Sequence, residues 1–274
     1  MEILKFTLSG RTAFFKIPEV NSYVYFSYGH IHKVSLLGLL GAVMGYEGYN
    51  SQGEKEFPEF YEKLKDIKIS IMPKNTNGSF SKKIQIFNNS VGYASNEEGG
   101  NLIVKEQWLE DVEWDIFIKM EDTDIHKELK ERMENYKFEY TIYLGKNDHL
   151  ATINNVEVLQ GESFLEDESE INSLFMRKDI EGFLEEEFNI LGSEENEIKY
   201  DYKYEEKLPI SLDSISNQYK VESLIFTNKK CILKDKSNFA KINNQIIDKT
   251  TELTQRMDSQ IGSLVFSVSE DGIL

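Results

Sequence analysis

The sequence is poor in several things, and each shortage excludes a class of protein. It has one cysteine, Cys231, so no intramolecular disulfide can form. One cysteine and four histidines also argue against a structural zinc site. The longest apolar run, Val34–Tyr46, is about five residues short of a bilayer span and is interrupted by Gly38, Gly41 and Gly45. No basic–apolar leader opens the chain, so a cytoplasmic location and no membrane contact are expected. Phosphate-loop, zinc-protease and serine-hydrolase motifs are absent. Asp122 and Asp124 open like a calcium loop, but Lys127 stands where that loop needs glycine. No cofactor and no metal are expected.

Positive charge is also scarce. With 31 Lys+Arg against 48 Asp+Glu the 274-residue chain carries a net charge of -17. That excludes a free-standing, indiscriminate nucleic-acid binder, which needs a positive surface to displace counterions, and an electrostatic membrane binder. The charge is unevenly spread. Residues 1–92 have 11 basic and 8 acidic side chains, residues 93–215 have 12 and 33, and residues 216–274 have 8 and 7. The acidity belongs to the middle, and the first third is slightly basic.

At 40% hydrophobic and 12% aromatic the chain can build a globular core. Alternation predicts strands at Ile3–Leu8, Ile67–Met72, Lys82–Phe87, Trp114–Met120 and Phe138–Leu144. Helices are predicted at Lys33–Tyr46, starting at His32 or Ser35, and at Asp124–Tyr136, with Asp124 as N-cap. Strand, helix, strand, insertion, strand, helix, strand is the split βαβ order of an α+β, ferredoxin-like (RRM-like) N-terminal domain over residues 1–150. The insertion, about 73–113, reads as a β-hairpin arm. Residues 151–274 read as a smaller β-rich region: strands at Ala151–Leu159, Leu224–Lys234 and Leu264–Val268, a short helix at Ile180–Phe188, and a charged, tyrosine-rich segment at Glu194–Lys207. Gly38, Gly41 and Gly45 would each weaken a helix by about 0.5–1 kcal/mol, so a close backbone approach by a sheet, partner or ligand is expected there.

Four constellations carry candidate chemistry. His30 and His32 precede the glycine-bearing helix and are open to four readings: metal ligands, general acid–base groups, polar contacts to an RNA backbone, or plain loop positions. Arg11, Lys16 and Lys33 flank Tyr23, Tyr25, Phe26 and Tyr28, a basic–aromatic pattern that suits single-stranded RNA and equally suits a strand with aromatic faces. Ser35 and the free N–H groups of the helix start favour a phosphate beside Lys33. Lys74, Phe80, Lys82 and Lys83 lie on the arm, where lysines either protect a strand edge or grip a nucleic acid or a neighbouring subunit. The acidic runs Glu110–Asp115, Glu121–Asp124, Leu165–Glu170 and Glu185–Glu187 read as solvated faces or a surface for a basic partner.

Two segments resemble one family. Ser9–Tyr49 places Gly10, Ala13 and Phe15 after the first strand and Gly38, Leu39, Leu40, Gly41 and Ala42 in the helix. Tyr140–Ala151 reads YTIYLGKNDHLA. Together they resemble the Cas-five family of CRISPR-associated proteins (RAMP superfamily), in its type I-B branch. The resemblance implies a ferredoxin-like domain with a β-hairpin thumb and a variable β-rich C-terminal part. It implies a non-catalytic subunit of the Cascade surveillance complex, acting in antiviral defence. Such a subunit caps the 5′ handle of the crRNA and contacts the backbone and large subunits rather than forming a homo-oligomer. On this reading Arg11, Lys16, Tyr28, His30, His32, Lys33, Ser35 and Lys146 are the RNA-binding candidates, and Lys74, Phe80, Lys82 and Lys83 the thumb contacts. A metal-independent endoribonuclease using His30 and His32 to process precursor crRNA is the alternative. An acidic ferredoxin-like protein-interaction module is a second.

Overall fold

The first strand, β1 (Glu2–Ala13), alternates Leu4, Phe6 and Leu8, all fully buried, with Lys5, Thr7 and Ser9 on the opposite face. In this computed structural model, which describes residues 1–20, 22–75, 77–163, 167–184, 201–234, 239–242 and 264–265, that strand lies at the centre of the main sheet. The other elements are, in chain order, α1 (Lys33–Met44), α2 (Glu59–Leu64), β2 (Ile69–Pro73), β3 (Ser81–Asn88), β4 (Ile103–Lys119), α3 (Asp124–Glu134), β5 (Thr152–Ser163), β6 (Glu168–Glu170), β7 (Phe175–Met176), β8 (Ile180–Phe183), β9 (Lys203–Leu212), β10 (Tyr219–Thr227), β11 (Lys230–Leu233), β12 (Phe239–Ile242) and β13 (Leu264–Val265). The chain is α+β, with mostly antiparallel sheets and few helices.

The main sheet runs β13-β12-β5-β1-β4-β2, and β3 also pairs with β4. All these pairings are antiparallel. The 17-residue β4 is shared along its length. Its C-terminal half pairs with β2 (Ile118 with Ile69), and its N-terminal half with β3 (Lys105 with Ile86). The hairpin β3–β4 therefore prolongs the sheet beyond β2. Trp114, Ile116 and Ile118 of β4 join Leu4, Phe6 and Leu8 in the core beneath α1 and α3. Two three-stranded sheets follow, β7-β10-β9 and β6-β11-β8.

Helix α1 is apolar on nearly every side because it is enclosed by the main sheet, α2, α3 and β9. One glycine owes its place to α2: a Cβ on Gly41 would fall 2.5 Å from Cβ of Phe60. The close approach that the glycines predicted is thus a neighbouring helix within the chain. Gly45 ends α1 in the left-handed conformation (φ 80°), its N–H donating to the Gly41 carbonyl.

Several expectations are corrected. Phe138–Leu144 is not a strand: its Glu139 and Tyr140 N–H groups donate to the carbonyls of Val43 and Ala42 at the end of α1, and β5 takes the place beside β1. Helix α3 is capped by the Thr123 hydroxyl, which accepts from the His126 N–H; Asp124 is its first residue. Ile180–Phe183 is strand β8, not helix, because it pairs with β11. Leu224–Lys234 divides into β10 and β11. Helix α2 and the N-terminal half of β4 were not predicted. The remainders of the expected elements at Ile180–Phe188, Glu194–Lys207 and Leu264–Val268, the Glu185–Glu187 run and part of Leu165–Glu170 lie outside the described residues. The expected division after residue 150 falls just before β5, which joins the first sheet.

Candidate nucleic-acid interface

The two histidines that invited a chemical role are interior residues. His30 is fully buried. Its Nε2–H donates to the Gly78 carbonyl at 2.7 Å, and its Nδ1 accepts from the indole N–H of Trp114 at 3.1 Å. Phe80, buried at the head of β3, and Tyr204 pack edge-on against its ring. Burial pushes its pKa down to about 4, partly opposed by the Gly78 bond. His32 caps α1, its Nδ1 accepting from the Ser35 N–H at 3.3 Å while its Nε2 lies 2.9 Å from the Ser35 hydroxyl. Phe15, Tyr28 and Tyr219 surround it edge-on, and burial pushes its pKa down to about 3.

Tyr28, His30 and His32, expected to contact RNA, are thus buried side chains, while Ser35 is half-exposed at the start of α1. The α1 N-terminus is capped by His32, whose ring packs edge-on against Tyr28 and Tyr219. Lys33 is only half-exposed, and burial lowers its pKa to about 8 against the pull of Asp66. Phe80 belongs to the core rather than to an exposed arm.

Three predicted lysines are held by carboxylates of β4. Lys74 pairs with Asp115 at 3.3 Å, Lys83 with Glu110 at 3.7 Å, and Lys146 with Glu106 at 3.0 Å. The Lys146 ammonium meets both oxygens of Glu106, and also Asp148 at 3.3 Å. The acidic run of β4 is therefore a set of internal partners as well as a solvated face.

Other cations are open. Arg11, Lys16, Lys82 and Lys105 are exposed and have no carboxylate partner among the described residues. Lys16 bridges Ser27, the Ile17 N–H donates to the Phe26 carbonyl, and the Lys16 ammonium lies 4.3 Å above the Tyr25 ring. Tyr25 extends the sheet on the other side of β4, donating to the Lys105 carbonyl at 2.8 Å and accepting from Gln107 at 2.9 Å. Tyr25, Glu106 and Gln85 thus form one row across three strands at the base of the hairpin. A second row, Ala13, Leu109 and Lys82, lies one to two residues from Arg11.

The base of the hairpin is stiffened by the segment after Leu144. His149 is buried, its Nδ1 lying 2.7 Å from the Thr12 hydroxyl and its ring edge-on to Trp108 at 4.6 Å. Trp108 donates its indole N–H to Glu106 at 2.8 Å, and the Lys146 ammonium lies 5.6 Å from the Phe14 ring and 5.4 Å from the Phe87 ring. The opposite face of the hairpin exposes Ile84, Ile86 and Ile103 between Lys82 and Lys105. Sequence reasoning missed Lys105, Glu106 and this apolar face. Their signal was the alternation through residues 103–110, obscured by its charged residues.

Among the described residues no group of three His, Cys, Asp or Glu side chains could hold a metal ion, and no helix is long and apolar enough to cross a membrane.

No protein-family model matches the chain, and no curated protein matches its sequence. Among solved structures it is similar to a chain of a CRISPR RNA-guided surveillance complex, at 12% identity over 85% of this chain and 91% of that one, TM-score 0.48. It is also similar to a CRISPR protein from Archaeoglobus fulgidus, at 9% identity over 98% and 100%, TM-score 0.43. A third is a chain of the type III-B Cmr-beta complex bound to cognate target RNA and AMPPnP, at 11% identity over 94% and 92%, TM-score 0.48. At these identities and scores, function has to be argued from this chain's own residues.

Proposed function

We propose that this protein is a non-catalytic, RNA-binding subunit of a type I CRISPR Cascade complex that caps the 5′ handle of the crRNA. The order β5-β1-β4-β2, with α1 and α3 as the two crossovers, supports a ferredoxin-like domain, and the β3–β4 hairpin supports a thumb inserted into it. The observation that carries the RNA reading is the strip at the hairpin base. There Lys16 lies over Tyr25 and Arg11 stands exposed, neither with a carboxylate partner among the described residues, in a chain whose net charge is -17, while Lys82 and Lys105 lie on the other face of the hairpin, beside Ile84 and Ile86. Unpaired cations beside an aromatic ring suit a short single strand, held by phosphate contacts and base stacking. The exposed Ile84, Ile86 and Ile103 face, rimmed by lysines, suits the backbone subunit. The large subunit meets another face of the same assembly.

The endoribonuclease alternative loses its motive, since both nitrogens of His30 are taken by interior partners and His32 caps a helix. The RNA reading is tested by co-expressing the chain with a CRISPR array and the neighbouring Cascade genes. The complex is then purified through this subunit and its bound RNA extracted. Discrete crRNA-length species are expected from the wild type, and much less from the Arg11→Glu/Lys16→Glu variant. A complex that assembles free of RNA contradicts the reading.

A further inference from the structure

Lys16 and Lys146 flank the Tyr25–Glu106 row, and they differ in one respect. Lys16 faces solvent over an aromatic ring, while Lys146 is closed onto a carboxylate. The Glu106 side chain is 7% exposed, and its carboxylate accepts from the Trp108 indole at 2.8 Å and presents both oxygens to Lys146 at 3.0 Å. Two oxygens of one planar anion on one ammonium, beside the rings of Phe14 and Phe87, are what a bound phosphate would offer at the same spot. The local charges are Lys16 and Lys146 against Glu106 and Asp148, a balance of zero. A nucleic-acid phosphate therefore meets no net attraction here unless Lys146 is released.

We propose that Glu106 is an internal competitor for the RNA phosphate. In the free chain it holds Lys146 closed, and the RNA backbone must displace it to bind. This inference rests on the RNA-binding reading above. It makes the end of the strip around Tyr25 and Lys146 locally neutral in the isolated subunit while Arg11 stays open, and it restrains binding of unrelated RNA before assembly.

The test is the anisotropy of a labelled, short single-stranded RNA titrated with the full-length chain over a range of salt concentrations. Glu106→Gln is expected to bind about three- to tenfold tighter at low salt, with a log–log salt slope steeper by about 0.7, the value for one added phosphate contact on a single strand. Adding Lys146→Gln to that variant should cancel the gain. Asp148→Asn removes an exposed acid from the same lysine, 57% exposed in the pair, and should move affinity the same way by less; it serves if Glu106→Gln fails to fold. Equal or weaker RNA binding by folded Glu106→Gln, with the wild type binding measurably, overturns this proposal alone and makes Glu106 a clamp that positions Lys146. No binding by the wild type or any variant overturns the RNA reading with it.

Discussion

The indole N–H of Trp114 donates to Nδ1 of His30 over 3.1 Å, between side chains 84 positions apart. This bond fixes the proton of His30 on Nε2, where it is donated to the Gly78 carbonyl. His30→Phe would keep an aromatic ring, a larger one, and leave the Trp114 N–H and the Gly78 carbonyl without partners. Each buried orphan costs about 1–3 kcal/mol, so a loss of about 2–6 kcal/mol is expected from urea unfolding. A loss below about 1 kcal/mol would show that this bond contributes little.

The same burial gives stability a pH dependence of known sign. Unfolded, the two histidines take up protons below about pH 6.5; folded, they resist to about 4 for His30 and about 3 for His32. The unfolded state then binds more protons, so their contribution is complete above the unfolded pKa and is lost as pH falls. The slope is about 1.4 kcal/mol per pH unit for each histidine. The melting temperature should fall between about pH 6.5 and pH 4.5, and His32→Gln should flatten that fall. An unchanged profile in the variant would assign the acid sensitivity to other groups.

Two glycines of α1 should respond oppositely to alanine. A Cβ on Gly38 meets only the edge of the Phe60 ring at 3.8 Å, an ordinary contact, whereas one on Gly41 strikes the Phe60 Cβ at 2.5 Å. Gly38→Ala should stabilise by about 0.5–1 kcal/mol through helix propensity. Gly41→Ala should destabilise by about 1–3 kcal/mol, because α2 must move. Thermal melts of the two variants decide this, and stabilisation by both would mean that α2 yields freely.

The elements that were legible in the sequence are those whose side chains alternate against one deep core, such as Leu4, Phe6 and Leu8 of β1. Helix α2 was hidden because six residues do not complete two turns, so Phe60, Tyr61 and Leu64 show no period. The N-terminal half of β4 was hidden by its acids. Lys105 and Glu106 sit on opposite faces of a strand whose apolar partners, Val104 and Leu109, are few. The candidate site was harder still. His30 and His32 look reactive in sequence because nothing local reveals that Trp114 and Gly78, or a ring of aromatics, will enclose them. Lys74 and Lys146 look free because their carboxylate partners are 41 and 40 residues away. Arg11 and Lys16 remain exposed, and Lys33 does not.

Lys33 therefore separates the sequence pattern from the folded surface. Lys33→Gln should leave crRNA association within about twofold of wild type, since the side chain is half-buried and beside Asp66, while Lys16→Glu should weaken it about tenfold or more. Co-purified RNA per complex measures both. Equal losses would return the α1 N-terminus to the interface.

The central claim, that a short single strand lies along the hairpin base, is tested most directly by photocrosslinking. The crRNA in the purified complex would carry 4-thiouridine in its 5′ handle, and crosslinked peptides of this subunit would be identified by mass spectrometry. The predicted crosslinks fall in the Lys16–Phe26 segment and in the hairpin residues Lys82 to Lys105. Crosslinks confined to α3, or to α1 around Lys33, would contradict the account.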